Sequence, residues 1–378
     1  MRIGFDIRPF LKHETGVGVY FRNLLAELAK IDAENEYVLF SASWKDRFPA
    51  DRIPLPEKWR LIDKKWPVRA VDGLWSRLRW PTLDRIAGTR LDLTHSPTPL
   101  LLPTRGRTIV TVCDLFFLDF PGQADKQART HFRKRIAAAL RDADAIVTIS
   151  EYTKNELRER FGLDPAKITA TLLGLNPVFR SDPAPTEIEA VRRAFALPAE
   201  FLLFVGATEP RKNLLGLIDA LALVHARGRK IPLAIVGRPG GDADRLERRI
   251  GERGLGEWVH RPGYLDDLEV RALYHAASAL VFPSFREGFG LPLIEALACG
   301  LPAAVAGAGA LPEVGGEAAL YFNPDDPADI AETLLRILDD NGLRRVLRAK
   351  GRERARLFRW EKTAEETLAL YKAVGGRR

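Results

Sequence analysis

Short apolar runs alternate with amphipathic stretches along nearly the whole chain, in two successive series. The first series contains RIGFDI (2–7), YVLFSA (37–42), LDLTHS (91–96), TIVTVC (108–113) and AIVTIS (145–150). The second contains FLLFVG (201–206), LAIVG (233–237), WVHRPG (258–263), ALVFPS (279–284), PAAVA (302–306) and ALYF (319–322). Segments with helical spacing fall between them, at 19–31, 128–143, 214–227, 242–254, 266–277, 292–299 and 327–340. Short apolar strands that alternate with amphipathic helices imply parallel sheets covered on both faces. The fold class expected is therefore α/β, with two doubly wound, Rossmann-like domains. A length of 378 residues also exceeds what one ordinary core accommodates.

The densest polar and proline-rich stretch between periodic segments is GLNPVFRSDPAPTE (174–187), and it sets the boundary. An N-terminal domain of residues 1–175 and a C-terminal domain of 176–358 follow. The last helix, EKTAEETLALYKAV (361–374), repeats Ala364, Leu368, Tyr371 and Val374 at helical spacing. Residues 359–378 are assigned to the first domain, as a return crossing. Open α/β sheets bind ligands beyond the carboxyl ends of their strands, so the cleft between two such domains is the expected site.

Composition narrows the class. No apolar run approaches the roughly 20 residues that a membrane span needs. The start, MRIGFDIRPF, enters a strand without the apolar core of a signal peptide. Cys113 and Cys299 lie in apolar contexts, which favours free buried thiols over a disulfide. A cytoplasmic location is expected. Most of the net charge of +8 falls in residues 1–175, much of it in KWRLIDKKWPVRAVDGLWSRLRW (58–80). There Trp59, Trp66, Trp75 and Trp80 alternate with Lys and Arg. Such a stretch fits an anionic membrane surface, such as the inner face of the plasma membrane. It fits equally a solvated basic surface whose tryptophans are partly core. Nucleic acid is not expected as a partner, because no recognised nucleic-acid module accompanies the stretch.

Two motifs carry chemistry. The run from Glu287 to Glu295, EGFGLPLIE, reads as a glycine-loosened loop after a strand, then a helix that starts near Pro292 with Glu295 in its first turn. Glycines admit close backbone approach, and a helix start offers N–H groups to anionic or hydroxyl-rich ligands. Two carboxylates held apart can grip two sets of hydroxyls. A solvated loop acid and an ordinary first-turn acid would account for the same residues. In EPRKN (209–213), Arg211 and Lys212 stand between a strand and a helix start. That placement opposes the helix dipole, so it calls for an anion such as a diphosphate, which Arg can chelate and Lys can neutralise. Gly16 and Gly18 in HETGVGVYF (13–21) open the first helix, but Phe21 stands where a dinucleotide fingerprint needs a third glycine. The six histidines show no ligand spacing and no CxxC pair is present, so no metal site is expected.

EPRKN, TGVG (15–18) and GYLDDLEVRALYHAASALVFPSFREGFGLPLIEALACGLP (263–302) together resemble family 4 retaining glycosyltransferases of the GT-B fold, in which two Rossmann-like domains face across a cleft. The resemblance spans most of the chain and is more specific in the second domain. It implies a nucleotide-sugar donor in the C-terminal domain, an acceptor in the N-terminal one and no cofactor or metal. It implies that Glu287 contacts donor-sugar hydroxyls with backbone N–H groups of Phe289, Gly290 and Leu291, and that Glu295 holds the ribose. Arg211 and Lys212 would stabilise the departing diphosphate, and backbone around Tyr264 and Leu265 would meet the base. Gly16 and Gly18 would approach the donor from the first domain.

One departure stands out. Relatives often have His-Asp at the end of the fourth strand, where this chain has Cys113-Asp114. A thiol is a weak hydrogen-bond partner, so either the sugar contact is altered or His95, at a neighbouring strand end, compensates. The overall look of the motifs resembles bacterial mannosyltransferases of polysaccharide assembly. The expectation is transfer of a hexose, mannose from GDP-mannose first, to a growing and lipid-linked glycan. A UDP-sugar donor is the first alternative. A phosphorylase or epimerase of the same fold, and a partner protein that has lost activity, are the others.

Overall fold

Two all-parallel sheets, one of seven strands and one of six, organise the computed structural model. The structure describes residues 1–8, 16–46, 55–120 and 133–376. The chain divides into Met1–Gly174 with Arg359–Arg378, and Leu175–Phe358. The first unit contains β1 (Arg2–Asp6), β2 (Glu36–Ala42), β3 (Arg60–Lys64), β4 (Leu93–Ser96), β5 (Arg107–Val112), β6 (Ala145–Thr148) and β7 (Ile168–Ala170). Their order is β3-β2-β1-β4-β5-β6-β7. The second unit contains β8 (Leu202–Val205), β9 (Leu233–Val236), β10 (Val259–Gly263), β11 (Ala279–Phe282), β12 (Ala303–Ala306) and β13 (Ala319–Phe322), in the order β10-β9-β8-β11-β12-β13. All residues of β9, β11 and β12 are buried, as strands covered by helices on both faces must be.

Each sheet reverses its direction of growth once, between β1 and β4 in the first and between β8 and β11 in the second. At such a switch point the two following loops diverge to opposite faces and leave a crevice at the carboxyl edge. The loops after β8 and β11 carry Arg211, Lys212 and Glu287. The topology therefore brings together motifs that lie 75 residues apart in the chain.

The stretch 58–80 combines a basic surface with tryptophans that are partly core, as one of its two expected readings has it. It contains β3, an edge strand beside β2 with Val38 opposite Arg60, whose charged ends suit an unpaired edge. Trp59 packs tilted against Tyr37 at 4.3 Å between centroids, and Trp75 packs on Phe40 at 5.3 Å. The Trp75 indole N–H donates to the Pro81 carbonyl at 2.9 Å. Of the four tryptophans of this stretch, Trp66 and Trp80 are exposed, at 37% and 51%. The boundary stretch 174–187 is partly structured: Pro177–Arg180 forms a 3-10 turn that buries Phe179, and a helix begins at Pro185. Helices Glu151–Phe161 and Asn341–Ala355 carry too few large apolar residues to show a period. The second buries Leu347, Gly351 and Ala355, a face made mostly of small side chains.

The helix Trp360–Gly375 belongs to the first unit. Thr363 donates its hydroxyl to the Leu172 carbonyl at 2.5 Å. Tyr371 is fully buried, with its hydroxyl 2.6 Å from His95 Nδ1.

Candidate active site

In the second unit, β8 ends in a loop that closes into a 3-10 turn, Pro210–Lys212. Asn213 follows in the left-handed conformation and caps the helix Leu214–Ala226, accepting from Gly216 N at 3.3 Å. Its amide nitrogen donates to the Pro324 carbonyl at 2.6 Å. The turn is thus pinned on both sides, and Arg211 and Lys212 project from a fixed backbone just before a helix start.

The anion that their position calls for is present within the chain. Lys212 Nζ lies 2.5 Å from Glu287 Oε1, and Arg211 Nη1 lies 2.9 Å from Glu287 Oε2. Arg211 Nε also reaches Glu209 Oε2 at 2.8 Å. Glu287 is only 8% exposed, so it is not a solvated loop acid. Burial alone would raise its pKa, but the charges of Arg211 and Lys212 overcome that and hold it at about 2. Burial lowers the Lys212 pKa, and Glu287 opposes that shift. The ammonium also sits 4.8 Å from the centroid of the Phe282 ring, a favourable cation–π contact.

The loop bearing Glu287 is tied to its neighbours through the backbone. Phe285 N donates to the Arg211 carbonyl at 2.9 Å, and Ala310 N donates to the Glu287 carbonyl at 3.0 Å. Gly290, at φ +110°, starts the helix Leu291–Ala298, and a Cβ there would come within 2.7 Å of Leu311 Cδ2. Only glycine meets both conditions. The N–H groups of Phe289, Gly290 and Leu291 have no acceptor among the described residues. Groups of this kind at a helix start are open to a ligand's oxygens. The Phe289 side chain itself is core, packed edge-on against Phe358 at 5.6 Å.

Glu295 falls in the second turn of this helix rather than the first, because the helix starts at Leu291. Burial raises its pKa to about 7, while a hydrogen bond from the Tyr274 hydroxyl, 3.0 Å away, works in the opposite direction. The two carboxylates therefore differ sharply: Glu287 is ionised at neutral pH, and Glu295 titrates there. After β10, Tyr264 is 65% exposed, with the Arg238 guanidinium 4.5 Å above its ring, whereas Leu265 is buried. Among the described residues, no group of three His, Cys, Asp or Glu side chains is placed to hold a metal ion.

The remaining expected residues lie in the first unit. Gly16 begins the helix Gly16–Ile31 and Gly18 is buried within it; Thr15 lies outside the described residues. His95 does not compensate for Cys113. It is fully buried between the Tyr371 hydroxyl and Thr111 Oγ1, the latter 2.7 Å from Nε2, and burial lowers its pKa to about 3. It is a neutral core histidine with both ring nitrogens satisfied. Cys113 follows β5 as a partly buried free thiol, and burial and Asp114 both raise its pKa. Asp114 accepts from Phe116 N at 3.1 Å.

Sequence reasoning passed over three groups. Glu209, within the EPRKN motif, is the second partner of Arg211. Tyr274 has no local signal, since only folding sets it against Glu295. At the end of β1, Arg8 chelates Asp6 and reaches Asp72 Oδ1 at 2.8 Å, with its guanidinium 4.8 Å from the Trp75 ring centroid. An isolated DIR tripeptide does not announce that cluster.

Comparison with known proteins is consistent across both units. Residues 15–177 match the family described as Glycosyltransferase Family 4, and 186–354 match Glycosyl transferases group 1. The chain is 31% identical to O-antigen chain mannosyltransferase B of Escherichia coli over 387 residues, which cover 99% of this chain and 100% of that protein. It is 31% identical to an MMP alpha-(1->4)-mannosyltransferase of Mycolicibacterium hassiacum over 63% of this chain and 56% of that protein. Among solved structures, sucrose-phosphate synthase from Thermosynechococcus elongatus superposes with a TM-score of 0.78 at 24% identity, covering 100% of both chains. Anabaena HepE in complex with UDP-glucose superposes at 0.76 with 16% identity, covering 99% of this chain and 100% of that one.

Proposed function

This chain belongs to the family 4 glycosyltransferases, and from that premise we propose that it moves a hexose from a nucleotide-sugar to a growing glycan with retention of anomeric configuration. Mannose from GDP-mannose is the first donor, a choice supported by the mannosyltransferases among its relatives. The observation that carries the reading is the ion cluster of Glu287, Arg211 and Lys212 at the β8/β11 switch point, beside the open N–H groups of residues 289–291.

In this reading the donor diphosphate displaces Glu287 from the two cations. The freed carboxylate, with the N–H groups, takes the sugar hydroxyls, and Glu295 takes the ribose. As the bond from the anomeric carbon to phosphate breaks, negative charge grows on the leaving diphosphate. Arg211 and Lys212 stabilise that charge without a metal, which lowers the barrier. The acceptor hydroxyl attacks from the leaving-group face, and its proton passes to a leaving phosphate oxygen. Tyr264 and Leu265 border the base.

The acceptor is proposed to be lipid-linked and met at the inner face of the plasma membrane. Around the helix Val68–Leu78, Trp66, Leu74, Leu78 and Trp80 are exposed among Arg69, Arg77 and Arg79, a mixture that suits an anionic interface. No helix among the described residues is long and apolar enough to cross a membrane.

Thermal unfolding with saturating GDP, UDP, ADP and their sugar conjugates, with and without a chelator, tests the donor. A nucleotide at about 100 times its dissociation constant adds about 2.7 kcal/mol. A shift with GDP and GDP-mannose that survives chelation is expected. A response to UDP alone replaces the donor with a UDP-sugar, and silence across the panel favours a partner protein without activity.

A further inference from the structure

The helix Asn341–Ala355 and the residues that follow it make the most basic segment of the second unit. Residues 341–358 contain Arg344, Arg345, Arg348, Lys350, Arg352, Arg354 and Arg356 against one carboxylate, Glu353. Four of these cations have local partners. Arg344 donates to the Leu338 carbonyl, Lys350 pairs with Glu317, Arg354 donates to the Val314 carbonyl, and Arg352 lies 3.9 Å from Asp182. Arg345, Arg348 and Arg356 have no partner among the described residues.

The spacing of the exposed arginines is what matters. At 3.6 residues per turn, Arg345, Arg348, Arg352 and Arg356 fall within an arc of about 80°, along about 16 Å of helix. All four are exposed. The buried face of the same helix, Leu347, Gly351 and Ala355, is used in packing, with Leu297 beside Gly351. The stripe is therefore a surface feature of a firmly seated helix. Like charges at such spacings repel and slightly weaken the helix that bears them, a cost that a facing anionic surface relieves and that Asp182 offsets only at Arg352. Beside the stripe lies a shallow cavity, wide open to solvent, whose lining includes His275, Ser278, Arg344, Arg345 and Arg348. Glu200 also lines it, but that carboxylate is engaged by Arg229 at 2.9 Å.

We infer that this arginine stripe is a docking face for an anionic lipid surface, with the cavity as a recess for a headgroup phosphate. Guanidinium groups chelate phosphate oxygens in pairs, and a straight row of them matches a plane of phosphates. Val346 and Leu357 are exposed beside the row, at 50% and 56%, and supply apolar contact of the kind an interface accepts. No aromatic side chain among residues 341–357 offers the stacking that single-stranded nucleic acid uses. This inference does not depend on the contact proposed for residues 58–80 in the first unit.

Co-sedimentation of the full chain with vesicles tests it, using phosphatidylcholine alone and phosphatidylcholine with phosphatidylglycerol in equal parts. Three proteins are compared: the parent, the quadruple variant Arg345→Gln/Arg348→Gln/Arg352→Gln/Arg356→Gln, and Leu78→Ser/Trp80→Ser. Glutamine keeps helix propensity, so the quadruple variant should unfold at the parent's temperature or above it. Each arginine near an anionic surface contributes about fivefold to partitioning, so the quadruple variant should lose on the order of a hundredfold or more on anionic vesicles. It should bind neutral vesicles as the parent does, while the Leu78/Trp80 variant keeps its preference for anionic ones. The single variant Arg348→Glu gives the same direction with one change. Undiminished binding of the quadruple variant to anionic vesicles overturns the inference. So does a parent that ignores vesicles but binds a single-stranded oligonucleotide or inorganic phosphate through these arginines.

Discussion

The two units end their sheets in ion clusters built from the same kinds of parts in inverse proportion. In the first, one guanidinium, Arg8, lies between two carboxylates, Asp6 and Asp72, with side-chain exposures of 10%, 7% and 16%. In the second, one buried carboxylate, Glu287, lies between two cations, Arg211 and Lys212. The first cluster leaves one negative charge over and the second leaves one positive charge, before the more exposed Glu209 is considered. A surplus of carboxylate suits donors such as sugar hydroxyls, and a surplus of cation suits phosphate. The lesson is that a shared fold fixes where the crevice lies, while the count of charges on its edge decides what the crevice can hold.

The largest effect should come from breaking the second cluster. Glu287→Ala leaves Lys212 buried without its carboxylate and should reduce unfolding free energy by about 3–5 kcal/mol. Transfer should fall by at least about 10²–10³-fold, the scale of losing one preorganised polar group, while nucleotide binding persists in a thermal-shift assay. Transfer at the parent's rate would sink the site assignment. Arg8→Met sharpens the contrast: chemical unfolding should show a similar loss, yet GDP should still stabilise the variant.

Next in size are two opposed pH dependences. Glu287 has a folded pKa of about 2, below its ordinary 4.5. Its stabilisation is present above pH 4.5 and is lost as pH falls toward 2. Glu295 has a folded pKa of about 7, above the same ordinary value. Its contribution is complete below pH 4.5 and is lost as pH rises toward 7. Unfolding curves between pH 4.5 and 8 should therefore show a decline that Glu295→Gln abolishes. A variant with the parent's slope would show that Glu295 is not the group responsible.

A smaller effect separates core from site within the first unit. Tyr371→Phe leaves His95 Nδ1 without its partner and should cost about 1–3 kcal/mol. Transfer per folded molecule should not change; a lower kcat with unaltered stability would return His95 to the acceptor side. Smallest of all, Leu78→Ser/Trp80→Ser should alter stability by no more than about 0.5 kcal/mol. Vesicle binding should nevertheless drop several-fold, and full retention would remove residues 58–80 as a membrane contact.

Much of this molecule is legible in its residues before folding is considered. Five of the six strands of the second unit stand out as apolar runs, since each is short, mostly buried and bounded by glycine, proline or polar turns; β10, VHRPG, has no buried residue and is marked instead by its place between turns. β3 and β7 do not stand out: the first is a charged edge strand, and the second, at three residues, is too short to display any period. The helices at 151–161 and 341–355 were hidden for a related reason, because small or polar side chains fill part of their buried faces. Within the site, EPRKN and EGFGLPLIE mark the loops that carry Arg211, Lys212 and Glu287. Tyr274, Glu209 and the Arg8 cluster acquire meaning only from what they touch.

Local pattern by itself determined the α/β class, the two series of strands and the loops that bear the charged residues. Periodicity and turn chemistry act over a few residues, and the chain writes them in order. Tertiary structure alone decided the pairings: Glu287 with cations 75 and 76 residues away, and His95 with a tyrosine 276 residues away. It also decided protonation, since burial and neighbouring charge set one glutamate near 2 and another near 7. Those effects depend on distance and solvent exclusion in space, which no order of residues states directly.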